Sequence, residues 1–204
     1  MRIRLAFLAM TLLLLGLGAP ACRNVAPTGE LAVIETNYGK IVIDFFPNDA
    51  PQTVANFQEL ARQGFYDGTK FFGVVKDQGK PAAIFGGDPN TINGDPSTWG
   101  HGQPGQRKIP GEFSKTLTHA RGAVSMVRKQ DDENSATSQF FICVAPYPKR
   151  DGQNAIFARV IDGMNVVDAI ARAPLFPKTE RPLDPVVVNR IYLVKRGEVE
   201  VSRN

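Results

Sequence analysis

Gln139 and Phe141 stand two positions apart in the run Asn134-Ser135-Ala136-Thr137-Ser138-Gln139-Phe140-Phe141-Ile142-Cys143. On a strand, side chains two apart share a face. That face would set a hydrogen-bonding amide beside an apolar ring, which suits an extended peptide better than a charged metabolite. The plainer alternative is that Phe140, Phe141 and Ile142 are core and Gln139 is a polar strand end. The segment alone leaves both open. Other chemistry-bearing residues carry less. His101 and His119 are the only histidines, and neither stands in metal-ligand spacing with Cys22 or Cys143. No acidic residue flanks His119, so a structural role is expected of it. Ser125 lacks the glycines of a nucleophile elbow. Lys129-Gln130-Asp131-Asp132-Glu133 reads as a solvated loop, and Gly86-Gly87 is followed by no P-loop lysine or Rossmann spacing.

The elements that must position Gln139 and Phe141 are mostly strands. Ala32-Val33-Ile34-Glu35-Thr36 and Lys40-Ile41-Val42-Ile43-Asp44-Phe45 flank Asn37-Tyr38-Gly39, a hairpin pattern. Asp49-Ala50-Pro51 opens a helix whose Val54, Phe57, Leu60 and Ala61 form one apolar stripe, with Gly64 as its stop. A second helix follows Gly163, with Met164, Val167 and Ile170 inward. Pro185-Val186-Val187-Val188 and Ile191-Tyr192-Leu193-Val194 supply closing strands, and residues 88–108 read as a long surface loop. A mainly-β fold follows: a closed antiparallel barrel with a helix over each open end, closure removing exposed sheet edges.

A chain of 204 residues suits one well-buried domain. Its first 21 residues read as an export signal: a basic start at Arg2 and Arg4, an apolar run, then Ala19-Pro20-Ala21. The apolar run is short for a membrane span. Cys22 follows at once, and two readings stay open: lipidation of Cys22, as in a bacterial lipoprotein, or ordinary cleavage after Ala21. Residues 22–30 read as a tether and 31–204 as the domain. The expected location is the cell envelope, periplasmic or membrane-anchored through the lipid. With one further cysteine, Cys143, there is no disulfide framework. The formal charge of +4 is too weak to argue for nucleic acid.

Beyond the central run, Phe65-Tyr66-Asp67-Gly68-Thr69 with Phe71, Gly86-Gly87-Asp88-Pro89, Gly122-Ala123-Val124-Ser125-Met126, Asp151-Gly152 and Gly163-Met164-Asn165-Val166-Val167 follow in order. The chain resembles the cyclophilin family of peptidyl-prolyl isomerases over residues 31–194. The resemblance implies an eight-stranded barrel capped by two helices, a monomer, proline-containing polypeptides as partners and no cofactor.

Rotation about an X-Pro bond faces a barrier of about 18–20 kcal/mol because the amide is resonance-stabilised. Its catalysis needs no nucleophile or metal. A pocket must hold the proline ring, and donors must favour the twisted amide over both planar forms. In cyclophilins a cationic donor comes from an arginine two residues past a phenylalanine; here Phe71-Phe72-Gly73 puts Gly73 at that position. Counting back from Gly86, the next family positions read Ala82, Ala83 and Phe85, after an insertion within residues 76–81. Lys149 stands where many members have tryptophan, Arg150 at an apolar position and Asn154 where a histidine often sits. The resemblance gives Gln139, Phe141, Val127, Phe85 and Asn154 as peptide-binding positions. Arg128 is a candidate compensating cation, though Arg128 and Arg150 both also read as solvated loop charges.

Loss of the cation predicts weak or absent turnover, since each 1.36 kcal/mol is a factor of ten in rate. Two functions remain in play: an exported isomerase, or a module that binds proline segments as a chaperone or scaffold. A barrel for an unrelated small ligand is a third.

Overall fold

The computed structural model describes residues 29–198. The leader 1–21, Cys22 and most of the tether 22–30 lie outside the described residues. β1 (Glu30–Thr36) and β2 (Gly39–Phe45) form the expected hairpin, with Thr36 opposite Gly39. α1 (Pro51–Arg62) follows, then β3 (Lys70–Phe71), β4 (Gly73–Asp77) and β5 (Lys80–Gly86). A single short turn of helix, α2 (Asn90–Asn93), opens the long surface loop. β6 (Ala123–Met126), β7 (Phe140–Cys143), β8 (Ile156–Asp162), α3 (Met164–Ala171) and β9 (Val186–Lys195) complete the fold.

All strand pairs are antiparallel, and they make one sheet in the order β3-β9-β1-β2-β8-β6-β7-β5-β4. The expected eight-stranded closed barrel is corrected on both counts. Among the described residues there are nine strands, and their ladders do not close by hydrogen bonds. The two edge strands, β3 and β4, are consecutive in the chain and part at Phe72. β3 pairs with β9 and β4 with β5; among the described residues the Phe72 amide to the Phe85 carbonyl (2.9 Å) and a Lys70–Asp88 bridge reach across. The covalent chain, rather than a ladder, spans the seam. The β4–β5 hairpin turns at Gln78 and Gly79, both at positive φ, so the insertion read from the sequence is a longer hairpin.

The inner face buries one aromatic and aliphatic core. Phe57 of α1 sits at its centre, with ring centroids of Phe45, Tyr66, Phe140 and Phe157 at 5.1–5.9 Å. α1 packs on β8 and β9, α3 on β2 and β5. Val54, Phe57 and Ala61 face inward as the stripe predicted, as do Val167 and Ile170. α3 opens at Gly163 (φ +85), where a Cβ would lie 2.2 Å from the Lys40 carbonyl; only glycine fits. The start of α1 has no cap of its own. Glu112 from the long loop accepts hydrogen bonds from the Gln52 and Thr53 amides at 3.0 and 2.8 Å and from the Thr53 hydroxyl.

Candidate functional site

Cross-strand register puts Gly73 opposite Phe85, Phe85 opposite Phe141, and Phe141 opposite Ser125. Directly opposed residues share a face, so this row runs across the outer side of the sheet. Phe140 and Ile142 point the other way into the core, while Phe141 and Cys143 join a second cluster with Ala82, Ala83, Tyr147 and Ile156. Phe140, Phe141 and Ile142 are thus all buried, in two clusters, and Gln139 stands just ahead of β7, as the plainer reading of the run expects.

The backbone ahead of Gln139 is held from several sides. Asn56 and Tyr66 donate to the Thr137 and Ser138 carbonyls at 2.9 and 3.3 Å, and Ser138 Oγ donates to the Gly87 carbonyl at 2.9 Å. Gly87 (φ +81) has to be glycine, because a Cβ would stand 2.6 Å from the Ser138 carbonyl. The glycine turn is thus filled by Ser138 and Phe140 and is no phosphate cradle.

Gln139, Val127, Phe85 and Gly73 line one cavity of about 470 Å3, together with Phe72, Trp99, Gly100 and the segment Thr179-Glu180-Arg181. A second cavity of about 690 Å3, lined by Gly100, Val127, Arg128 and Gln139 among others, continues it. Between them Gln139 Nε2 donates to the Gly100 carbonyl at 3.2 Å. Gln139 is 7 % exposed, and its Oε1 has no partner among the described residues. Asp88, fully buried, fixes the covering loop by accepting from the Gly100 and Asn90 amides at 2.5 and 3.0 Å.

Not every expected residue reaches this cavity. Phe141 is 1 % exposed and lies between the Phe85 ring (centroids 5.1 Å apart) and the His119 ring (5.6 Å), both within 14° of parallel. Asn154 is buried and donates to the Met126 carbonyl at 2.9 Å. Arg128 lines the second cavity, and its guanidinium donates to the Gln153, Lys129 and Gln130 carbonyls. Arg150 lies over the Tyr147 ring, and Lys149 pairs with Asp77 at 2.6 Å. His101 is exposed in the second cavity's wall.

His119 does have an acidic partner, 32 positions away. Asp151 Oδ1 lies 2.8 Å from its Nδ1 and accepts from its backbone amide at 2.7 Å; Ser125 Oγ stands 3.0 Å from Nε2. The spacing is that of a serine triad. Ser125 is wholly buried, however, and its hydroxyl is shared with the Ala155 carbonyl at 2.9 Å, so no substrate can reach it. Burial lowers the His119 pKa, against the opposing pull of Asp151. Burial alone would raise the Asp151 carboxyl, but its contacts with His119 outweigh that and hold it below the usual range. The Cys143 thiol is pushed up to about 12 by burial, with a smaller contribution from the Asp151 charge, and is inert. Trp99, Thr179, Glu180 and Arg181 were not legible as site residues, since loops far apart in sequence bring them to Gly73.

A family model described as "Cyclophilin type peptidyl-prolyl cis-trans isomerase/CLD" matches residues 31–193. Over 169 residues the chain is 35% identical to Peptidyl-prolyl cis-trans isomerase-like 1 of Neurospora crassa, covering 82% of this chain and 96% of that protein. It is 36% identical over 164 residues to the mouse Peptidylprolyl isomerase domain and WD repeat-containing protein 1. That match covers 79% of this chain but 24% of the mouse protein, so the chain spans about a quarter of that relative. Among solved structures it is similar to a cyclophilin type isomerase of Cryptosporidium parvum crystallised in the presence of the dipeptide Ala-Pro. There the TM-score is 0.70 and the identity 28%, over 80% of this chain and 98% of the other.

Proposed function

The chain belongs to the cyclophilin-type peptidyl-prolyl cis-trans isomerase family, and on that premise we propose that it isomerises X-Pro bonds of exported polypeptides, slowly. The observation that carries the reading is the single cavity walled by Gly73, Phe85, Val127 and Gln139. It takes an extended segment, with the Gln139 amide for the peptide backbone and Phe85 and Val127 for the proline ring. The Ala-Pro dipeptide used with the Cryptosporidium relative supports an X-Pro ligand for such a groove. Rotation breaks no bond, so the proposed reaction asks for no cofactor.

Two features argue for slow turnover. Gly73 contributes no side chain where the family's cation is expected. Phe85 covers Phe141, so the ring that would floor a proline socket is already packed. The leader at 1–21 is the support for clients in the cell envelope, and Cys22 for a lipid anchor there. The covered Phe141 also favours the alternative, a module that grips proline segments with little turnover.

The test is an exchange measurement on a short Ala-Pro peptide with the purified chain. We expect catalysed exchange well below that of an arginine-bearing family member, and loss of both exchange and peptide binding in Gln139→Ala. Binding without any catalysed exchange would establish the module instead. Exchange at the level of an arginine-bearing member would overturn the slow reading.

A further inference from the structure

Gly73 brings no side chain to the groove, and another part of the chain approaches the same strand edge. β4 is the last strand of the sheet, and its free edge receives the loop between α3 and β9: the Val74 amide donates to the Glu180 carbonyl at 2.7 Å. The loop is tightly closed. Phe176 N–H donates to the Arg181 carbonyl at 2.9 Å, Leu183 N–H to the Pro174 carbonyl at 2.7 Å, and Arg181 N–H to Thr179 Oγ1 at 3.2 Å. Arg181 thereby lines the same cavity as Gly73, Phe85, Val127 and Gln139, and also a neighbouring one of about 220 Å3 with Phe176, Trp99 and Lys70.

The Arg181 side chain is oriented by stacking. Its guanidinium carbon lies 4.5 Å from the Phe176 ring centroid and 5.6 Å from that of Trp99. Trp99 is braced in turn by Lys70 Nζ at 5.6 Å, while Lys70 itself donates to the Thr91 and Ile92 carbonyls. A guanidinium held over aromatic rings keeps its five N–H donors in its own plane, available to other acceptors. Among the described residues those donors make no hydrogen bond or close ion pair, although the Arg181 charge adds to the Ser97 hydrogen bonds that hold the Asp95 carboxyl below its usual range. Arg128, by contrast, spends its donors on three backbone carbonyls.

Resting on the isomerase reading above, we propose that Arg181 is the cationic donor of this groove. It reaches the X-Pro amide from the neighbouring loop where the family's own strand supplies glycine. It hydrogen-bonds the prolyl amide as resonance is lost, and no covalent bond changes. Gly73 is then part of the arrangement, since with the cation coming from the loop the strand need supply none.

The test uses the full chain and a short Ala-Pro peptide, with Arg181→Met keeping the stem and removing the charge. Loss of a charge-assisted hydrogen bond predicts an about tenfold to hundredfold fall in kcat/KM. Gly73→Arg is sterically open, because a Cβ at Gly73 meets only Phe85 Cβ at 3.6 Å and its φ is ordinary. In the Gly73→Arg background the Arg181→Met loss should shrink to about twofold or less, which a merely structural role would not produce. An undiminished loss in that background overturns the proposal. So does Arg181→Met within twofold of the parent in both kcat/KM and peptide affinity. A parent with no catalysed exchange sinks the isomerase reading alone. Arg181 is then judged by affinity, about tenfold weaker Ala-Pro binding in Arg181→Met supporting it and unchanged binding refuting it.

Discussion

Phe141 owes its position to two rings, and one of them titrates. His119 is 1 % exposed, and burial depresses its pKa below the ordinary histidine value of about 6.5. Above that value both folded and unfolded chains hold a neutral ring, and the stabilisation is complete. As pH falls below it, the unfolded chain takes up a proton that the native fold resists, so stability declines toward the lower folded pKa. Urea unfolding should therefore show a falling midpoint between pH 7.5 and the acid side of 6.5. His119→Gln should flatten that slope while lowering stability at neutral pH. A slope unchanged by the substitution would remove His119 as its source. The sequence could not supply this account, because nothing near His119 is acidic; Asp151 arrives only when residues 148–151 fold back over the sheet.

At the scale of elements, the start of α1 depends on a residue 60 positions away. Glu112 accepts the Gln52 and Thr53 amides, and its charge sits at the positive end of the helix dipole. Its replacement by alanine should cost about 0.5–2 kcal/mol, the range for a lost helix cap, read as a shift in urea midpoint. Glu112→Gln, which keeps an acceptor, should cost less; equal costs would point to lost packing instead. The helix itself was legible from Pro51, the stripe of Val54, Phe57 and Ala61, and Gly64. Its cap was not. The β1–β2 hairpin was equally plain, since alternation around a short turn needs no partner elsewhere to be recognised. The β4–β5 hairpin was harder, because its insertion breaks the alternation and only pairing fixes Gly73 opposite Phe85.

For the whole molecule, α1 ties core to site. Phe57 touches four aromatic rings of the core, while Asn56 on the same helix holds the Thr137 carbonyl just ahead of Gln139. Phe57→Ala should destabilise the chain by about 3–5 kcal/mol, the range for deleting a buried phenylalanine. Its denaturation midpoint checks this, and a loss below about 1 kcal/mol would mean that neighbouring rings refill the space. The seam at Phe72 belongs to this scale too. The chain crosses from one edge of the sheet to the other there, leaving β4 an open edge on which the Arg181 loop docks.

The residues by themselves determined the mainly-β fold, the strand that follows Gln139, and the glycine at position 73. Each rests on local order, because strand alternation, helix stripes and motif succession are written along the chain. Tertiary structure decided that Phe85 lies over Phe141 and that His119 meets Asp151. It also decided that Arg181 lines the cavity that Gly73 opens onto. Those relations depend on which strands share an edge and where loops cross it, and an edge exists only once the sheet has formed.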